Sequence, residues 1–344
     1  MPLWVWVAFH VAVFTMLAID LGVFHRHAHE VSVREAAGWT VTWVSASLLL
    51  CLAIAHFMGT EPALQFLTGY LIEQALSVDN IFVFVLIFSY FSVPKRYQHR
   101  ILFWGILGAL LLRGTMIGAG AWLIHRFEWV LYVFGAFLVF TGVRMAFAGE
   151  EGIEVQANPV VRLIRRFVPV TKRYHGQHFL VRVPVGRTRR LIATPLMVVL
   201  VMVETTDLIF AVDSIPAIFA VTTDPFLVYT SNICAILGLR SLYFLLAGVI
   251  DTFRFLQIGL SVVLVFVGAK MLIEDWYHIP IGASLAVVAG VLLTAVIASL
   301  FFPAVAEEYS PVEHDPLHPP RARDAAHISP DPEVDRKRHD GHRR

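Results

Sequence analysis

Five carboxylates in this chain stand where carboxylates are costly. Glu73, Asp79, Glu204, Asp207 and Asp213 all fall inside long apolar runs. An ionised side chain at the centre of a membrane-spanning helix costs about 2.5–3.5 kcal/mol even on a lenient insertion scale. The basic residues near the middle of such runs are Arg113 and Arg240, so five acids face two bases and three negative charges stay unpaired. If Arg144 and Lys270 turn inward the surplus falls to one, although both lie near run ends, where long side chains snorkel to the interface. Salt bridging alone is the bland reading of these residues. The surplus is otherwise relieved by protonation or by a bound cation, and a site open to both describes a proton-linked cation carrier. Hard oxygen ligands without nearby thiolate or imidazole suit Mn²⁺, Mg²⁺ or Ca²⁺ better than Zn²⁺ or Cu⁺. Asn80 and Ser214 add neutral oxygens.

The acids recur as a motif. Ser77-Val78-Asp79-Asn80-Ile81 is matched by Ala211-Val212-Asp213-Ser214-Ile215, and each aspartate has an acid six positions earlier, Glu73 or Asp207. Each motif is followed in the next apolar run by an arginine, Arg113 or Arg240, and each unit ends in Gly142-Val143-Arg144-Met145 or Gly268-Ala269-Lys270-Met271. The arginine-to-glycine interval is 29 residues in one copy and 28 in the other, which identifies an internal duplication. Three apolar runs per copy, an odd number, place the copies in opposite orientations, the inverted-repeat plan of many secondary transporters. The substrate site is then expected between them. Helical positions six apart lie about 120° around the axis, whereas positions seven apart nearly share a face. Glu73 with Ser77 and Asn80, and Asp207 with Ser214, therefore form inward stripes. Asp79 and Asp213 join them only where the helix unwinds, for which Pro216 is the candidate. Glu204 lies one turn before Asp207, without an equivalent acid in the first copy.

The elements that hold these residues are membrane helices. The 344-residue chain is 57% hydrophobic and 15% charged with a mean hydropathy of +0.69, outside the range of soluble domains. A helix needs about 20 apolar residues to cross the hydrocarbon core. Nine such runs are read at 3–24, 38–58, 66–91, 101–125, 128–148, 191–221, 226–249, 255–277 and 279–302. The fold class is an all-α polytopic membrane protein. Its divisions are two N-terminal helices (1–60), the first repeat (61–150), a basic loop (151–190), the second repeat (191–277), a last helix (278–303) and a tail (304–344) whose polar composition predicts disorder. No basic residue precedes the first run and no A-x-A site follows it, so it is expected to be retained rather than cleaved as a signal peptide.

Arg26, Arg34, Lys95, Arg96, Arg100, Arg254 and the basic stretch 162–190 fall in alternate connections. The positive-inside rule makes these cytoplasmic, with the N-terminus outside and the C-terminus inside a plasma or inner membrane. Near-balanced charge, 27 basic to 26 acidic residues, gives no pull toward nucleic acid. Cys51 and Cys234 sit singly in apolar runs and read as packing residues. His25, His27 and His29 before Glu30 read as a solvated loop before they read as a metal site, and His56 with Glu61 as candidate exit-lining groups. No zinc-protease motif and no serine nucleophile elbow occurs, so no catalytic residue, enzymatic activity or resident cofactor is expected.

The two motifs, Glu73-Gln74-Ala75-Leu76-Ser77-Val78-Asp79-Asn80 and Asp207-Leu208-Ile209-Phe210-Ala211-Val212-Asp213-Ser214-Ile215-Pro216-Ala217, resemble those of the TerC family of integral membrane proteins, Alx-type members included. The likeness covers roughly residues 5–302 and leaves out the tail. That family is grouped with LysE-type exporters and associated with manganese export and tellurium resistance. The resemblance implies a metal site of Glu73, Asp79, Asn80, Asp207, Asp213 and Ser214. The buried charges themselves add Glu204 to the candidate metal ligands and give Arg113 and Arg240 gating or charge-pairing roles. The resemblance also supplies manganese as the transported ion, where the residues alone indicate only a hard divalent cation, Ca²⁺ and Mg²⁺ included. Tellurite is an anion that a carboxylate pocket repels. The alternative from another class is a membrane scaffold or assembly partner in metal or tellurite stress, acting through the basic loop and tail.

Overall fold

Polar first turns carry the helices past the ends of their apolar runs. The computed structural model describes residues 2–19, 31–147, 170–171, 174, 176–185, 188–247 and 255–301. Among them are α1 (Leu3–Ile19), α2 (Val33–Met58), α3 (Thr60–Tyr90), α4 (Lys95–Arg126) and α5 (Val130–Phe147). A hairpin of β1 (Leu180–Val185) and β2 (Thr188–Ala193) follows, then α6 (Pro195–Phe219), α7 (Pro225–Leu246), α8 (Leu256–Ile273) and α9 (Ile281–Phe301). Eight of these helices are long and apolar enough to cross a membrane, and α1 has 17 described residues. The all-α polytopic architecture holds. The histidines at 25, 27 and 29, Arg26, Arg254, most of the basic loop and the tail lie outside the described residues.

Local chemistry explains where the boundaries moved. The Ser32 hydroxyl accepts from the Glu35 amide at 3.2 Å, so α2 starts at Val33 rather than 38. Gly59, at φ +103°, makes the one-residue corner that lets α3 begin at Thr60 rather than 66. The expected start of the sixth span at 191 is overturned, because residues 188–193 pair antiparallel with 180–185. Thr194 then turns the chain, its hydroxyl donating to the His178 carbonyl at 2.7 Å, and Pro195 takes the first helical position, where no amide is needed. At α7 the Asp224 carboxylate accepts from the Phe226 amide at 2.8 Å ahead of Pro225.

The two motif-bearing halves interlock. α3 runs parallel to α7, with Gly69 against Ser231 and Phe88 against Tyr243. α4 runs parallel to α6, with Gly105 against Val203 and Gly120 against Phe219. α5 and α8 cross antiparallel through small residues, which allow close backbone approach. A Cβ on Gly142 would lie 2.8 Å from the Ser261 carbonyl oxygen, and one on Gly268 would lie 2.7 Å from that of Gly135. One shift of numbering, 142 to 268 and 135 to 261, relates these two contacts. Outward faces carry Leu49, Phe57, Leu111, Trp122 and Phe301, all more than half exposed, as an apolar surface that lipid must cover.

Candidate cation site

The stripe expected on α3 is present and buried. Glu73, Ser77 and Asn80 are each at most 1% exposed, and α6 presents Asp207 and Ser214 at 3% and 1%. Between them α4 inserts Arg113, itself 1% exposed. Its Nε donates to Asp207 Oδ2 at 3.3 Å and its Nη2 to Oδ1 at 2.9 Å, a bidentate fork. Its Nη1 donates to Glu73 Oε1, to Asn232 Oδ1 on α7 at 2.8 Å and to Ser214 Oγ at 3.2 Å. Four helices thus meet at one guanidinium. Two carboxylates against one arginine leave a formal charge of −1.

Apolar layers close this cluster on both sides. Toward the hairpin end lie Phe84, Ile101, Met202 and Leu239 from the same four helices. Toward the other end lie Ile117, Ile218 and Val228, with Phe66 and Tyr70 on α3. Within the cluster, hydrogen-bonding capacity is left over. Glu73 Oε2, Ser77 Oγ, both amide atoms of Asn80 and Asn232 Nδ2 are buried without partners. Such groups each cost about 1–3 kcal/mol. Unpaired oxygens beside surplus negative charge are the donor set a hard cation takes. Among the described residues no three His, Cys, Asp or Glu side chains form a preassembled metal cluster, so neutral oxygens would have to complete any coordination shell.

Asp79 and Asp213 do not join. Both α3 and α6 run unbroken past them, so the 120° offset stands, and Pro216 lies in the last turn of α6 without interrupting it. Asp213 turns to α5 instead, toward Thr141 and Arg144, and both aspartates are half-buried. Glu204 is half-buried beside Asp207, pressed against Gly108, where any Cβ would collide with its carboxylate. Arg240, 6% exposed, shares with Asp207 a small, mostly apolar cavity bordered by Gly105. Asn232 escaped the sequence reading because it has no acidic counterpart in the first copy. Its place eight residues before Arg240, deep in an apolar run, was the available signal.

The two ends of the bundle differ. One holds a cavity of about 580 Å³ lined by Glu61, His125, Glu128, Lys270, Glu274 and Asp275. At the other, Tyr174, Gln177 and Phe179 ahead of the hairpin pack against the end of α3 and the start of α4. The Tyr174 hydroxyl donates to the Phe91 carbonyl at 2.6 Å, and Arg100 donates to Gln177 at 3.1 Å while stacking 5.2 Å over Phe179. Burial holds the Tyr174 phenol well above its ordinary pKa.

Comparison with known proteins gives this geometry a family. The model of the integral membrane protein TerC family matches residues 58–307. The chain is 55% identical over 296 residues to a Salmonella typhi protein, covering 83% of this chain and 91% of that one. It is 53% identical over 297 residues to its Escherichia coli counterpart, covering 84% and 91%. Both carry the name Alx and are described, provisionally, as membrane-bound redox modulators. An uncharacterized membrane protein of Myxococcus xanthus is 53% identical over 295 residues, covering 86% of this chain and 91% of that one. No solved structure matches the chain. With its family model spanning most of the helical bundle and relatives above half identity along nearly their whole length, the chain belongs to the TerC family of integral membrane proteins.

Proposed function

We propose that this protein is a transporter that exports a divalent metal cation, manganese foremost, by alternating access of two inverted three-helix repeats. The carrying observation is the buried cluster of Glu73, Asp207 and Arg113, with its surplus carboxylate and unpaired oxygens between the two copies of the motif. A divalent ion entering as Arg113 withdraws would neutralise the two carboxylates, with Ser77, Asn80 and Ser214 as neutral ligands. Protonation of a carboxylate is the other route to neutrality, which makes protons the coupling ion of this reading. The helix pairing supports the inverted repeat: exchanging the copies maps α3 with α7 onto α6 with α4 and leaves α5 with α8 unchanged. Lys95, Arg96 and Arg100 support a cytoplasmic hairpin end by the positive-inside rule, and in this reading the acid-lined cavity faces outward from a plasma or inner membrane. No catalytic step, resident cofactor or nucleic acid enters the proposal.

The test is Mn²⁺ uptake into inside-out vesicles bearing wild type, Glu73→Gln or Asp207→Asn, with Ca²⁺ and Mg²⁺ as competitors. Saturable uptake that both variants lose while still inserted is the expected result. Wild-type uptake no greater than that of empty vesicles removes the proposal. One observation favours a second reading, taken from the description that the relatives carry: the two free cysteines, Cys51 and Cys234, border the same apolar cluster between α2, α3 and α7. A thiol-based function would be lost when both become alanine, whereas cation transport would survive.

A further inference from the structure

We propose that Arg240 is the alternate counter-cation of the Glu73–Asp207 pair, and that the carrier changes sides by exchanging Arg113 for Arg240 at those carboxylates. The inference deepens the proposed function and rests on its inverted-repeat reading.

The duplication relates Glu73 to Asp207, Asn80 to Ser214 and Arg113 to Arg240. It also relates Gly105 to Asn232, each eight residues before its arginine. Arg113 binds Asp207, Glu73, Ser214 and Asn232. Exchanging the copies gives Arg240 the mirror set: Glu73, Asp207, Asn80 and the backbone at Gly105. Both arginines therefore address the same two carboxylates. Arg113 reaches them from the side of Ser214 and the outer cavity. Arg240 would reach them from the side of Asn80 and the hairpin.

Two features fit a receptacle with one half occupied. Both Asp207 oxygens and Ser214 Oγ are taken by Arg113, while their mirror counterparts, Glu73 Oε2 and Asn80 Oδ1, have no partner. The small cavity shared by Arg240 and Asp207 is bordered by Gly105, where the second copy has the Asn232 side chain. With no side chain at Gly105, that cavity is lined by Arg240 together with Asp207, one of the two carboxylates. Each arginine, while bound, blocks the pair from its own side and leaves the opposite side for the cation. With Arg113 in place the unpaired oxygens belong to the hairpin side, the loading side for an exporter. With Arg240 in place they belong to the outer side. Arg113 and the cation then compete for the same acids, so the empty pair always keeps one arginine as partial counter-charge during the return step.

The experiment uses the full chain in vesicles with Cys51→Ala and Cys234→Ala as background. It carries one reporter cysteine, Ile117→Cys in the outer apolar layer or Met202→Cys in the hairpin-side layer, labelled by a small membrane-impermeant thiol reagent. Arg113→Gln should speed labelling of the Ile117 reporter and slow that of Met202. Arg240→Gln should do the reverse, each by about tenfold, a common size for coupled two-state elements. A merely structural role for either arginine loosens both layers together, so parallel changes, or no change in inserted protein, overturn the exchange. Should the glutamine variants fail to insert, Arg113→Lys and Arg240→Lys keep the charge but lose the fork, and should show the same reciprocal signs at smaller size. Mn²⁺ uptake measured on the same preparations separates the two ideas. Wild-type uptake with non-reciprocal labelling sinks the exchange alone, and reciprocal labelling without any uptake sinks the transporter reading alone.

Discussion

Asp207→Asn should nearly abolish cation binding while leaving the fold standing. Once Arg113 withdraws, Glu73 and Asp207 present two negative charges to a divalent ion. At 4 Å and an effective dielectric of about 20, one carboxylate contributes about 4 kcal/mol per unit charge of its partner. Losing one therefore forfeits at least that amount, about a thousandfold in affinity at 1.4 kcal/mol per decade. The fold loses less. Asparagine keeps one oxygen for the Arg113 fork, now 2.9 and 3.3 Å from the carboxylate. The cluster moves from a formal −1 to zero, so the change costs about one charged hydrogen bond, about 1.5–3 kcal/mol. Arg113→Leu instead leaves two buried carboxylates facing each other and should cost about 3–5 kcal/mol. Calorimetric titration of Mn²⁺ into detergent-purified protein, with thermal unfolding in metal-free buffer, reads both quantities. An Asp207→Asn protein that binds Mn²⁺ within threefold of wild type would refute the reasoning, as would an Arg113→Leu protein more stable than Asp207→Asn. Asp79→Asn and Asp213→Asn, which lie off the cluster, should lose much less affinity than Asp207→Asn in the same titration.

Further outcomes follow from other parts of the bundle. Gly268→Leu places a side chain 2.7 Å from the Gly135 carbonyl and 2.9 Å from Leu138 Cβ, so α5 and α8 must separate. The expected loss is about 1–3 kcal/mol, read as a lower melting temperature, and Gly282→Ala, with open space around it, should leave melting unchanged. For Tyr174 the native pKa is raised by burial while the unfolded phenol ionises near pH 10. Its contribution is therefore complete below about pH 10 and lost as pH rises toward the native value. Proteolysis of the segment ahead of the hairpin should accelerate above that pH in wild type, and Tyr174→Phe should flatten the dependence. Replacing Cys51 and Cys234 by alanine should leave Mn²⁺ uptake within about twofold of wild type; its loss would favour the thiol reading.

Hydropathy located the helices, because about 20 apolar residues are a long, redundant signal. It failed at their ends. The polar first turns of α2 and α3 are helical because Ser32 caps one and Gly59 turns into the other, and neither residue is apolar. The hairpin at 180–193 lay in a basic stretch whose charges dominated the reading, and its pairing depends on contacts across the chain that composition does not encode. At the site, seven-residue spacing identified Glu73, Ser77 and Asn80, and Asp207 with Ser214, because a straight helix preserves that geometry. Asp79 and Asp213 attract notice as charges in the motif, yet rotation about the same straight helices carries them elsewhere, Asp213 toward Thr141 and Arg144. Asn232 required knowledge of which helix faces Arg113, a long-range fact.

The incompleteness of the cluster is the strongest argument that it exists for a ligand rather than for stability. Replacing a buried ion pair by well-packed apolar residues is often neutral or stabilising by about 1–4 kcal/mol, so such pairs are poor devices for holding helices together. A structural network would close at zero charge with every polar atom paired. This one carries a formal −1 and leaves five polar atoms of Glu73, Ser77, Asn80 and Asn232 without partners among four packed helices. The sequence count of five acids to two bases overstated the local imbalance, since Asp213 finds Thr141 and Arg144 outside the cluster. What remains at the cluster itself is one unmatched carboxylate charge beside unpaired oxygens on a single face of α3. Either a proton or a metal ion can make up that deficit, and competition between the two is what a coupled exporter requires.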